Sequence, residues 1–144
     1  MVEPRLGKDD LKRTDANFYF SSCGTEIDIS VVHPSSASFF KLASKPLGAA
    51  QEREKRKNNL YLKRTQDKGS AFYPVVFESY GAFGSRAREF IRLLSDEAST
   101  NGIHRLQGLS VTNFVNRSLA VMLQVANSTI CLEASVRTRR KKVV

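Results

Sequence analysis

A regular alternation of polar and apolar residues at positions 26–32 (EIDISVV) sets the framework of this chain. The apolar members are Ile27, Ile29 and Val31, and a period of two residues is typical of a β-strand that buries one face. Asp28 must then project from the opposite face of the same strand. The alternation therefore predicts both a buried sheet surface and a carboxylate on its other side.

Other segments of strand and helix character surround this strand. An aromatic run at 17–20 (NFYF) and the turn residues at 21–24 predict a hairpin partner, and the apolar run at 72–79 (FYPVVFES) predicts a further strand. Pro74 indicates that the beginning of that strand is either unpaired or at a sheet edge, because proline donates no hydrogen bond to a ladder. Helices are predicted at 47–65, from Ser85 as N-cap to Asn101, and from Val111 to Ser128. The order predicts an α/β fold, a small mixed β-sheet flanked by helices.

The predicted helix at 47–65 is basic, and the geometry of an α-helix separates its lysines. Residues three and four apart share one face, which groups Ala50, Glu54, Lys57 and Tyr61 in a single stripe. Alanine and tyrosine make this stripe the packed side, so Lys57 is expected to face inward. Lys55 projects about 160° away from Lys57 and is expected to face outward.

Length and composition fit one domain with a basic binding surface. The 144 residues are 41% hydrophobic, enough for a single core, and carry a formal net charge of +9. Residues 41–64 contain eight Lys/Arg against two Glu, and residues 137–142 contain five Lys/Arg and no acid, so the rest of the chain is near neutral. This clustering favours a polyanionic partner, with a solvated helix face and tail as the alternative.

Several classes of protein are disfavoured by the sequence. Cys23 and Cys131 form no CxxC pair and the chain has two histidines, which disfavours a zinc-finger site and favours a reduced intracellular chain. No apolar signal region and no apolar run of membrane-spanning length are present, so we expect a soluble protein, nuclear or otherwise intracellular. The run at 137–142 (RTRRKK) is a nuclear import signal, a phosphate clamp or a solvated end.

Two aspartates and a lysine carry the clearest chemical signal. Asp15 and Asp28, with twelve residues between them, are expected on neighbouring strands, and Lys57 follows on the helix. Converging carboxylates bind Mg²⁺ and an ammonium group stabilises charge on an attacked phosphate, so the pattern indicates a metal-dependent nuclease. The alternative is that both aspartates are turn and strand-edge residues. Glu78 is either a third metal-facing acid or the first polar residue after the sheet, and Glu26 shares the face of Asp28.

Five blocks of the sequence resemble one family. They are RTDA around Asp15, EIDISVVHP around Asp28, AAQEREKRKNNLY with Lys57, FYPVVFESYGAFG, and FVNRSLAVMLQVAN, and they span residues 13–127. In this order they resemble the restriction-like endonuclease domain at the C-terminal end of site-specific non-LTR retrotransposon polyproteins, a member of the PD-(D/E)XK nuclease superfamily.

The resemblance implies a restriction-endonuclease-like core that nicks target DNA, with Mg²⁺ or Mn²⁺ as cofactor, to start element insertion. Asp15 matches the aspartate of the PD pair and Asp28 the second acid. The superfamily lysine usually lies two residues after that acid, where this chain has Ser30. The retrotransposon branch resembles a variant whose lysine has moved to the following helix, which points to Lys57 or Lys55.

The chain also departs from the family pattern. Thr14 replaces the expected proline, and the helix that ordinarily precedes the first strand is scarcely visible in residues 1–14. The zinc knuckle and the reverse transcriptase of the family are missing from the sequence, which suggests a detached fragment or a remnant gene. The expected partners are DNA and reverse transcriptase or other parts of a larger element protein.

The sequence and the resemblance together divide the chain into three regions and assign residues to phosphate binding. Residues 1–12 are expected to be irregular, 13–134 to form the endonuclease domain and 135–144 to form a basic tail. Phosphate contacts are assigned to a basic set on the helix: Arg53, Lys55, Arg56, Lys63 and Arg64. The alternatives are a catalytically inactive nucleic-acid-binding remnant of the same domain, and a protein-interaction domain whose charge is incidental.

Overall fold

A computed structural model describes residues 14–20, 23–42 and 44–141, with side chains as far as residue 134. The irregular segment predicted at 1–12 lies outside this range. The strands are β1 (Ala16–Phe20), β2 (Cys23–Val32), β3 (Ala71–Glu78), β4 (Arg105–Leu106) and β5 (Leu109–Ser110). The helices are α1 (Gly48–Asp67), α2 (Ser85–Thr100) and α3 (Val111–Lys141), with a short 3₁₀ turn at Phe40–Leu42. The predicted α/β class, with a small mixed sheet and helices, is confirmed.

The main sheet has the strand order β1–β2–β3. Strand β1 pairs antiparallel with β2, from Ala16 opposite Ile27 to Phe20 opposite Cys23. Strand β3 is parallel to β2, with Pro74 opposite Asp28, and α1 makes the crossover that a parallel pair requires. Pro74 therefore lies on an edge strand, as predicted.

The two faces of the sheet bury different helices. One core cluster joins Ile27 to the α2 residues Ala87 and Phe90 through Val75 and Phe77. The other joins β2 and β3 to the start of α1, and its members are Val32, Phe39, Ala49, Ala50 and Val76. Ile27 and Val32 thus lie on opposite faces of β2, as the alternation predicts. The prediction that Ile29 and Val31 are buried is wrong: they are 47% and 54% exposed, because they line an open groove beside α3 and none of the described helices packs closely over them.

The start of α2 differs from the sequence prediction. Gly84, not Ser85, occupies the N-cap position, and Ser85 is the first helical residue. The carboxylate of Glu54, reaching across from α1, accepts hydrogen bonds from Ser85 Oγ at 2.9 Å and from the Arg86 N–H at 3.0 Å. The Ser85 prediction is wrong because a distant acid supplies the cap.

Two further features lie in the C-terminal half. Strands β4 and β5 form a hairpin whose turn residues Gln107 and Gly108 have φ of 50° and 79°, the signs that a two-residue type I′ turn requires. Helix α3 continues past the predicted end at Ser128 to Lys141, because no glycine or proline interrupts it. The backbone of 135–141 is thus part of α3. Within the described residues, no helix has the length and hydropathy needed to cross a bilayer.

Candidate active site

A polar cleft of about 290 Å³ opens between β2 and α1. Its walls come from the start of β1, the middle of β2 and the inner face of α1. It brings together Asp15, Asp28 and Lys57, the three residues that the sequence analysis grouped. The complete lining is Asp15, Asp28, Ile29, Ser30, Arg53, Arg56, Lys57, Leu60 and Tyr61.

Asp15 is fixed by the point at which the antiparallel ladder ends. Its N–H donates to Ile27 O at 2.9 Å, and its Oδ2 accepts the Ile29 N–H at 2.6 Å. The side chain therefore takes the place of a backbone acceptor just beyond the paired part of β2. This exposed carboxylate is held against the strand that carries Asp28.

Asp28 and Lys57 form a buried ion pair. Both residues are 6% exposed, and Lys57 Nζ donates to Asp28 Oδ2 and, at 3.4 Å, to Ile29 O. A buried ammonium and carboxylate are tolerated because each offsets the desolvation cost of the other, so removal of one partner costs about 3–5 kcal/mol.

The predicted stripe on α1 accounts for the position of Lys57. Ala50, Glu54, Lys57 and Tyr61 are all buried, whereas Lys55 is exposed and does not line the cleft. The predicted inward direction of Lys57 is therefore confirmed.

Tyr61 forms the next turn of the cleft wall after Lys57. Its ring packs on Phe72 with 5.4 Å between ring centroids. Burial, followed by the negative charge of Asp28, raises the pKa of the Tyr61 phenol above its usual value, and Arg64 opposes this shift. Tyr61 is therefore a neutral hydroxyl at physiological pH.

The five basic residues assigned to phosphate contacts divide into three groups. Arg53 and Arg56 line the cleft, and Arg53 Nε donates to Ser30 Oγ at 3.4 Å. Lys55 and Lys63 lie on the exposed side of α1. Arg64 is half-buried, 3.6 Å from Glu26 and stacked over the Tyr61 ring, which gives it a packing role.

The two remaining acids lie outside the cleft lining. Glu26 accepts from Thr14 Oγ1 at 2.8 Å and pairs with Arg64 and Lys68. Glu78 accepts the N–H of Ala50 at 3.3 Å in the first turn of α1. It ends β3 opposite Val32, four residues beyond the level of Asp28, so the structure does not place it with the two aspartates.

The donors in the cleft fit a hydrated divalent metal. Mg²⁺ retains several waters and usually needs one or two protein carboxylates, which Asp15 and Asp28 supply. Each carboxylate has acceptor positions beyond the hydrogen bonds described above. No group of three His, Cys, Asp or Glu side chains suited to a metal occurs in the part of the chain that the structure describes.

Three parts of the cleft were not predicted from the sequence: the Ile29 amide that holds Asp15, the contact between Arg53 and Ser30, and the apolar wall made by Leu60. Ser30 had a signal, because it shares the strand face of Asp28. The positions of the Leu60 side chain and the Ile29 amide depend on how α1 and β1 dock against β2, so no pattern in the sequence indicated them.

Comparison of the chain with protein-family models, curated proteins and solved structures finds no match.

Proposed function

We propose that this chain is a metal-dependent DNA endonuclease that resembles the domain that nicks target DNA for retrotransposon insertion. The observation that carries the proposal is the meeting of Asp15, Asp28 and Lys57 in one cleft flanked by Arg53 and Arg56. Two acids, one amine and two guanidinium groups are the side chains that binding and hydrolysis of a phosphodiester require.

The connectivity around the cleft also supports the resemblance. Asp15 and Asp28 come from a β-hairpin, and Lys57 comes from the helix that follows it, where the retrotransposon branch is expected to carry its lysine. Ser30 replaces the lysine of the common pattern and lies in the same cleft. The proposal therefore includes a restriction-endonuclease-like core, action on nuclear DNA, and reverse transcriptase or other element proteins as partners.

In this proposal Asp15 and Asp28 hold Mg²⁺ or Mn²⁺. The bound ion would polarise the scissile phosphate and lower the pKa of the attacking water. The water oxygen would form the new bond to phosphorus and release its proton to solvent, while the bond to the leaving sugar oxygen breaks and that oxygen takes up a proton from solvent.

The protein side chains supply the remaining functions. The Lys57 ammonium group lies against Asp28 and would stabilise the negative charge that develops on the phosphate. The Ile29 N–H fixes the orientation of the Asp15 carboxylate. Arg53 and Arg56 would bind the flanking phosphates at the mouth of the cleft.

A plasmid-nicking assay with Mg²⁺ tests the proposal. Asp15 is exposed, so Asp15→Asn should fold normally but lose about 100-fold or more of the nicking rate through weakened metal binding. Asp67→Asn, at an exposed acid at the far end of α1, is the matched control and should nick like the wild type. Equal nicking by the Asp15→Asn variant, or nicking that persists in EDTA, would contradict the proposal.

The two lysines give a second arm of the same assay. Lys57→Met should reduce the nicking rate by about 100-fold or more, whereas Lys55→Met should change it only slightly. Circular dichroism is measured in parallel, because Lys57→Met leaves Asp28 unpaired. If Lys55→Met loses activity and a folded Lys57→Met does not, the assignment of the amine is wrong.

One observation favours the inactive nucleic-acid-binding remnant as a second candidate. Lys57 is paired to Asp28, so the carboxylate that would hold the metal is already neutralised by a buried cation. A protein of this kind binds DNA with equal affinity in Mg²⁺ and in EDTA and does not nick. Asp15→Asn would then leave binding unchanged or strengthen it.

A further inference from the structure

An exposed aromatic ring lies in the connection between β2 and α1. Phe39 and Phe40 are adjacent, but Phe39 is 9% exposed and belongs to the core, whereas Phe40 is 70% exposed. Phe39 accepts the Leu42 N–H at 2.8 Å and donates its own N–H to Ser36 O at 2.9 Å. The Phe40 ring is therefore presented to solvent from an anchored backbone.

This segment contacts a wall of the proposed active site. The guanidinium carbon of Arg56 lies 5.5 Å from the centre of the Phe39 ring, a cation–π contact, and Arg56 also lines the cleft. Phe40 is thus one residue away from a direct contact with a cleft side chain.

The chain segment around Phe40 is basic, and the acid that follows it in sequence, Glu52, is paired with Arg56 at 2.8 Å. Residues 29–51 contain no Asp or Glu, and Lys41 and Lys45 are both exposed. The other exposed rings of the described residues have different settings: Tyr80 packs against His33 and bonds Ser35, Phe18 stacks on Phe20, and Tyr19 lies towards the hairpin end of β1.

We infer that Phe40 is a stacking platform for an unpaired DNA base, with Lys41 and Lys45 contacting the adjoining phosphates. The inference rests on the proposed function for the identity of the ligand. An aromatic ring among lysines binds single strands because each unpaired base offers a face for stacking, whereas bases of a duplex are already stacked on one another. The proposed substrate is therefore DNA with a single-stranded segment next to the scissile phosphate.

Fluorescence anisotropy with a labelled oligothymidylate tests this inference, in EDTA so that cleavage plays no part. Phe40→Ala should weaken binding of the single strand about 10-fold and of a duplex of equal length less than twofold. Phe40→Tyr should bind like the wild type, since it keeps the ring. Tyr19→Ala, which removes a ring that is 88% exposed, is the matched control and should change neither affinity.

Salt dependence and thermal denaturation separate stacking from structural damage. Phe40→Ala should leave the slope of log Kd against log salt unchanged, because the ring releases no counterions, and should leave Tm unchanged. Equal losses on single-stranded and duplex DNA, or no loss on either, would overturn the inference, the second result assigning the ring to another kind of partner. The two proposals can fail separately. If the wild type nicks plasmid DNA but Phe40→Ala binds single strands normally, the stacking inference is overturned and the proposed endonuclease function stands.

Discussion

At the scale of single residues, the cleft depends on charges that compensate one another. Lys57 and Asp28 are both buried, and the pair is acceptable only because the ammonium and carboxylate are in contact. Asp15, by contrast, is exposed and held by one backbone amide. Substitutions at Asp15 therefore test the proposed binding of metal and DNA with little effect on folding, whereas substitutions at Asp28 or Lys57 also disturb folding.

Tyr61 provides a pH-dependent prediction. Its pKa is raised above the ordinary value of a tyrosine phenol, first by burial and then by the negative charge of Asp28. The folded state holds the phenolic proton more tightly than the unfolded state does, so the contribution of Tyr61 to stability is full below about pH 10 and is lost as the pH rises through its folded-state pKa.

The free energy of unfolding should accordingly fall as the pH is raised above 10, and part of this fall should be missing in Tyr61→Phe. Urea denaturation at several alkaline pH values measures it. Tyr19→Phe, at an exposed ring, is the control and should follow the wild type. A Tyr61→Phe profile that parallels the wild type throughout would contradict the assignment.

At the scale of elements, two helices have their N-terminal turns capped by carboxylates from other elements. Glu54 of α1 accepts the Arg86 N–H and the Ser85 hydroxyl in the first turn of α2, and Glu78 of β3 accepts the Ala50 N–H in the first turn of α1. Negative charge at these positions also interacts favourably with the helix dipole. Part of the acidic content of the chain is therefore committed to holding helices against the sheet.

The Glu54 cap requires glycine at position 84. A Cβ there would overlap Glu54 Oε1 and lie 3.0 Å from Val76 O. Gly84→Ala should therefore lower the free energy of unfolding by about 1–3 kcal/mol, as measured by urea denaturation.

The charge of the Glu54 carboxylate is tested by Glu54→Gln. This substitution should lower the free energy of unfolding by about 1–3 kcal/mol in the same measurement, because the uncharged amide oxygen makes weaker hydrogen bonds.

A double-mutant cycle with Glu54→Ala checks the cause. Because Glu54→Ala removes the overlapping carboxylate, Gly84→Ala should cost clearly less in that background than in the wild type. Gly81→Ala does not serve as the comparison, because its φ of 97° adds backbone strain of its own. If the changes in the free energy of unfolding caused by the two substitutions simply add, the overlap with Glu54 is not the reason for glycine at position 84.

At the scale of the whole molecule, the distribution of charge matters more than its total. The net charge of +9 would attract any polyanion, but Arg53 and Arg56 lie at the cleft beside the two aspartates. The part of α1 that faces the cleft thus carries the two guanidinium groups to which the proposed function assigns phosphate binding, while its outer side carries Lys55 and Lys63 towards solvent.

The salt dependence of duplex binding should distinguish the arginines that line the cleft from basic residues elsewhere on the surface. Arg53→Gln and Arg56→Gln should each reduce the slope of log K against log salt by about 1, since each removes one phosphate contact. Arg92→Gln, an exposed residue on α2, is the control and should leave the slope unchanged. Anisotropy titrations at several salt concentrations measure the slope. A change with Arg92→Gln equal to the change with Arg56→Gln would mean that binding is not centred on the cleft.

Local periodicity alone determined several features correctly. Alternation at 26–32 placed Ile27 on one sheet face and Asp28 on the other, and the spacing along α1 turned Lys57 inward and Lys55 outward. These features depend on the geometry of one strand or one helix, which a sequence expresses directly. The uninterrupted run after Ser128 also carried the signal for the longer α3, although the prediction stopped short of it.

Only the tertiary structure decided where side chains from different elements meet. The parallel pairing of β2 with β3 set Glu78 at the start of α1 and away from the aspartates, and the docking of α1 brought Lys57 to Asp28 and Glu54 to α2. Tertiary packing also separates two adjacent rings, because Phe39 joins the core between the sheet and α1 while Phe40 stays exposed. Such contacts join residues far apart in sequence, so they depend on register and crossover, which no local pattern records.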